Sequence, residues 1–114
     1  MRNLIFLLVL ALSLPTFAQN EALGKNYFEK GEYEKALAVF KKLVAQNPHR
    51  TDYLTYVLKA YQQLEEFGQA EMVIFKQLNG KRPQPRFYVE LGYNYALQKQ
   101  DSLATESYDR AIEN

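Results

Sequence analysis

From residue 19 onward, apolar residues recur at intervals of three and four, separated by polar and charged positions. Leu23, Gly24, Tyr27 and Phe28 make one such face. Gly31 interrupts it, and Tyr33, Ala36, Leu37, Phe40, Leu43 and Val44 resume it. This spacing puts each set on one side of an α-helix. Pro48 ends the second set, because a proline inside a helix costs about 3 kcal/mol or more. The pattern predicts helix, tight turn at Gly31, second helix, stop. Helices this short are marginal alone, so they must pack as antiparallel pairs.

The pattern then repeats. Tyr27, Tyr61 and Tyr95 are spaced by 34 residues, as are Ala36, Ala70 and Ala104. The same interval joins Leu23, Val57 and Leu91, then Phe40, Ile74 and Tyr108, then Val44, Leu78 and Ile112. No insertion or deletion is needed, and three units follow: 17–50, 51–84 and 85–114. A fixed period of this kind marks a stacked array whose units bury one continuous core. Gly24, Gly92 and the three alanines stand where helices must approach closely. The tyrosines, Phe40, Ile74 and Tyr108 fill the space around those approaches.

These columns resemble the tetratricopeptide repeat family, whose 34-residue unit carries a Leu-Gly pair, a Tyr, an Ala, a second aromatic residue and a terminal Pro. Here those places hold Leu23-Gly24 and Leu91-Gly92, the three tyrosines, the three alanines, Phe40 and Tyr108, and Pro48. The resemblance covers about residues 20–114. It implies an all-α, right-handed solenoid of about three helix-turn-helix hairpins, in a protein of exported bacterial type.

Several positions depart from the family pattern. Asn20 stands where the first unit would carry an aromatic residue. Leu58 replaces the small residue of unit two and Gln77 its later Ala, so that helix pair is expected to pack more widely. Asp101 takes the place of Tyr33 and Phe67, which weakens the anchor of the last turn. Asn79 to Arg86, with Pro83 and Pro85, reads as an irregular connector. Unit three lacks the extra polar helix that usually covers the final apolar face in this family.

The first eighteen residues have a different character. Arg2 gives a short positive region, and Leu4 to Leu14 is apolar except for Ser13. Pro15 follows, and Thr16-Phe17-Ala18 places small residues three and one before a cut. This is the layout of a secretory signal peptide, residues 1–18, with cleavage after Ala18. The run is shorter than the roughly 20 residues that span a bilayer, so no membrane span is expected after cleavage. The remaining domain, 19–114, is expected to be exported, periplasmic or extracellular.

Charge and composition narrow the function. The chain has 14 basic and 13 acidic residues, and Arg2 is the only charge before Glu21, so 13 of each remain after residue 18. A neutral domain has no global attraction for nucleic acid. There is no cysteine, hence no disulfide, thiolate metal site or cysteine nucleophile. His49, the one histidine, sits in a turn without clustered ligands, so neither metal nor acid–base chemistry is indicated. Glu65-Glu66 read as a solvated corner, and Lys81, Arg82 and Arg86 as a small basic patch. No pair of cooperating catalytic groups, no metal site and no cofactor site emerges.

The resemblance implies where binding falls. In the family, the first helices of successive units line a concave groove for a partner peptide or protein. By position this groove takes Glu21, Lys25 and Phe28 from unit one, Thr55, Lys59 and Gln62 from unit two, and Arg86, Val89 and Tyr93 from unit three. Lysines beside apolar groups suit a peptide with an acidic and a hydrophobic residue. The family's clamp for a chain-terminal carboxylate is absent, because Glu21, Lys25 and Tyr56 hold its positions. The expected function is a non-enzymatic adaptor of the cell envelope. The alternative is a structural module that self-associates through the third unit, as a homo-oligomer or within a longer array.

Overall fold

A computed structural model describes residues 17–80 and 83–113, without the side chains of Phe17 and Ala18. The proposed signal peptide therefore lies almost wholly outside the described residues. Those residues form six α-helices and no strand: α1 Phe17–Glu29, α2 Tyr33–Gln46, α3 Thr51–Gln63, α4 Phe67–Leu78, α5 Pro85–Leu97 and α6 Asp101–Glu113. Each helix packs on the next in sequence, giving three hairpins stacked side by side. Helix α1 runs through Phe17 and Ala18, so a cut after Ala18 would begin it at Gln19.

The hairpin turns are one device used three times. Gly31, Glu65 and Lys99 occupy the same repeat position, and all take positive φ, at 76°, 58° and 60°. In each turn the next residue's N–H reaches back to the tyrosine carbonyl, as Glu32 to Tyr27 at 2.8 Å, Glu66 to Tyr61 at 2.8 Å and Gln100 to Tyr95 at 3.0 Å. Gly31, Glu65 and Lys99 donate to Phe28, Gln62 and Ala96. The pair of bonds satisfies carbonyls at the end of the first helix that would otherwise lack partners.

The core runs through the stack. Ala36, Phe40, Ala70 and Ile74 are fully buried, and Val57, Leu58 and Leu91 nearly so. Gly24 and Gly92 allow the closest crossings. A Cβ on Gly24 would stand 2.8 Å from the Phe40 ring, and one on Gly92 would stand 2.5 Å from the Tyr108 ring. Unit two solves the same crossing with two middle-sized residues, Leu58 and Ile74. Its helix backbones, α3 and α4, approach less closely than α1 and α2 or α5 and α6. The wider packing expected from Leu58 and Gln77 is present.

Three expectations need correction. The second connector is shorter than Asn79 to Arg86, because Pro85 opens α5 as a first-turn proline and Arg86 is already helical. A proline fits there because its missing N–H has no intrahelical acceptor to reach. Tyr108, a core position in the repeat, remains 36% exposed, and Leu23 is 44% exposed. The reason is shared: both lie at ends of the described stack, where no further helix covers them. Ile112 shows the same effect at 85%, although Val44 and Leu78 of its column are partly buried.

Candidate protein-binding groove

The first helices of the hairpins, α1, α3 and α5, line two adjoining cavities that share Phe28 and Lys59. The first, about 500 Å³, is walled by Lys25, Thr51, Asp52, Thr55, Tyr56 and Arg86 among others. The second, about 770 Å³, is walled by Val89, Tyr93, Leu97, Phe67 and Tyr108, with Glu65 and Glu90 at its edge. Of the residues expected in the groove, eight line one cavity or the other: Lys25, Phe28, Thr55, Lys59, Gln62, Arg86, Val89 and Tyr93.

Glu21, the ninth, lines neither cavity and acts from behind. Its carboxylate takes a 3.0 Å ion pair from Lys25 and accepts a 3.0 Å hydrogen bond from the Tyr53 hydroxyl across the α1–α3 joint. These two bonds, Lys25 first, hold the Glu21 carboxyl below its ordinary value, and Glu21 raises Lys25 in return. Beside it, Arg50 lies over the Tyr53 ring at 4.2 Å and pairs with Asp52 at 2.7 Å, which lowers Asp52. The joint also holds an aromatic cluster, in which Phe40 stacks on Tyr56 at 4.3 Å and Phe28 meets Tyr56 edge-on at 5.4 Å. Tyr56 thus links the core to the groove wall.

Gln62 has a second role that its repeat position does not show. It is only 7% exposed, and its Nε2 donates to Asn94 Oδ1 at 3.3 Å. Asn94, fully buried, donates from Nδ2 to the Phe67 carbonyl at 3.0 Å. A buried amide without partners is costly, and here both amides are spent on the joint between units two and three. Arg86 bridges the same two units, donating to the hydroxyls of Thr51 and Thr55 at 3.2 Å each.

Tyr53, Asn94, Phe67 and Leu97 also belong to the site, although their repeat positions did not mark them for it. Leu97 was within reach: it follows Tyr93 by one helical turn and extends the Val89–Tyr93 stripe. Of the expected basic patch, Arg86 lines the first cavity, and Lys81 and Arg82 lie outside the described residues. His49 is exposed in the turn between α2 and α3. No helix among the described residues is long and apolar enough to cross a membrane.

Fold and groove together define a helical-repeat module with an open concave face. Residues 20–50 match the family model of the tetratricopeptide repeat. Over 94 residues the chain is 30% identical to Protein O-mannosyl-transferase TMTC2 of Homo sapiens, covering 80% of this chain and 11% of that protein. Both likenesses support an array of the tetratricopeptide type, a kind of repeat that generally mediates contacts between proteins and is itself typically non-catalytic.

Proposed function

We propose that this protein is an exported, non-enzymatic adaptor of the bacterial cell envelope that holds a partner peptide or protein in its concave groove. The observation that carries this reading is the pair of joined cavities along α1, α3 and α5, whose walls mix half-buried side chains such as Phe28, Thr55 and Tyr56 with the exposed Lys59, Arg86, Val89 and Tyr93. Val89 and Tyr93 are large apolar groups left in the open there, and exposed apolar clusters rimmed by charge mark interaction surfaces. The export reading is supported by the sequence of residues 1–18 alone.

The test is recovery of partners from an envelope extract on immobilised protein, followed by binding of the purified partner to wild type, Lys59→Glu and Tyr93→Ala. Either substitution should weaken binding by about tenfold or more while helicity stays unchanged. Equal affinity for all three proteins would remove the groove from the mechanism. Fractionation of cells carrying a tagged chain checks export, with the tag expected outside the cytoplasm.

The second reading, self-association through the third unit, is favoured by the bare Tyr108 and Ile112. Sedimentation separates the two. The adaptor should remain a monomer, whereas self-association should produce a larger species that grows with concentration.

A further inference from the structure

We propose that the groove is electrically ordered, and that it selects a partner segment with an acidic residue at one end and an apolar anchor beside a Lys or Arg at the other. This rests on the groove reading above and adds to it the order of charges.

The first cavity keeps free positive charge once its internal pairs are counted. Lys25 is held by Glu21, and Asp52 is held by Arg50. Lys59 makes no ion pair among the described residues, and Arg86 donates only to neutral threonine hydroxyls. Against these two cations stands the single carboxylate of Glu29.

The second cavity has the opposite balance. Glu65 and Glu90 stand at its edge with no ion pair among the described residues, and Lys59 faces them only from the boundary with the first cavity. Its wall is the stripe Val89, Tyr93 and Leu97, each 41–49% exposed and one turn apart along α5. Eight residues of helix make this stripe about 12 Å long.

The order is particular to this chain. Val89, Tyr93 and Leu97 stand where unit one carries Glu21, Lys25 and Glu29, and where unit two carries Thr55, Lys59 and Gln63. The apolar stripe is therefore confined to unit three, and the free cations to its junction with unit two. A lysine or arginine stem would lie along Tyr93 or Leu97 while its charge reaches Glu65 or Glu90. An acidic residue further along the segment would meet Lys59 and Arg86. Like charges in either place cost affinity, which is how complementary potentials exclude wrong partners. The acidic corner at Glu65 thereby gains a use.

A random library of short displayed peptides, selected on the full-length protein, tests this. The expected winners place Asp or Glu on one side and Leu, Phe or Trp next to Lys or Arg on the other. Lys59→Glu should weaken such a peptide about tenfold, and the Glu65→Lys, Glu90→Lys double variant should do the same. Exchanging the peptide's basic residues for acidic ones should restore binding to the double variant, an outcome that loss of folding cannot mimic. Winners that require Tyr93 but show no charge order would overturn this inference and leave the groove standing. No winners, or winners indifferent to Tyr93→Ser, would overturn both.

Discussion

At the crossing of the two helices in a hairpin, one side chain is chosen against another. Gly24 faces Phe40 and Gly92 faces Tyr108, and in unit two the same two columns hold Leu58 and Ile74, both buried. Small with large, or middle with middle, fills a similar gap. Gly24→Ala should therefore cost about 1–3 kcal/mol in denaturant unfolding, because the Phe40 ring is fully buried and cannot yield. Gly92→Ala should cost less, since Tyr108 is partly exposed and its ring can swing outward. Equal losses would show that burial of the facing ring does not set the penalty. The glycine columns were legible in the sequence, because a missing side chain is visible as such. The turn residues were not. Only Gly31 announces a left-handed backbone, yet Glu65 and Lys99 adopt it as well. That conformation costs an ordinary residue roughly 1–2 kcal/mol, so Glu65→Gly and Lys99→Gly should each raise stability by about 1 kcal/mol. Thermal unfolding of the two variants checks this, and a fall in stability would show that the turns carry no strain.

Between elements, the two joints of the stack use different chemistry. Units one and two meet through rings, Phe28, Phe40, Tyr53 and Tyr56, with Glu21 tying Tyr53 to α1. Units two and three meet through the Gln62–Asn94 pair and the Phe67 carbonyl. Asn94→Leu should therefore cost about 1–3 kcal/mol by stranding the buried Gln62 amide, whereas Asn26→Leu in the same column should be near neutral. A similar loss at both positions would deny the buried pair its role. Periodicity could not separate these asparagines. They share a column, but Asn94 is covered by α4 and Gln62 while Asn26 stays exposed. The first joint predicts a pH response. Glu21 titrates lower in the folded chain than its ordinary 4.5, so its contribution is complete above that value and is lost as pH falls through the lower folded value. The melting temperature of the wild type should drop more steeply than that of Glu21→Gln as pH is taken below 4.5. Parallel curves would mean that the Glu21 bonds add nothing to the joint.

Over the whole molecule, the fold was readable because one period serves local helix spacing and long-range packing together. Tyr27 and its partners mark the same place in each hairpin whether counted along the chain or across the stack. The groove was readable only in outline. The repeat positions point to the concave side, but whether a side chain there is free depends on neighbours that no column reveals. Gln62 is committed to Asn94, and Lys25 to Glu21, while Lys59 makes no ion pair among the described residues. The ends escaped for the same reason, since Tyr108 and Ile112 sit at positions that are covered in units one and two. The proposed adaptor role requires the two sides of the molecule to differ, and that difference can be measured. A photo-activated cross-linking residue placed at Tyr93, 49% exposed in the groove, is compared with one at Met72, 66% exposed on α4 and outside both cavities. With a purified partner, a covalent adduct is expected from position 93 and none from position 72. An adduct from position 72 alone, or from neither, would contradict that role.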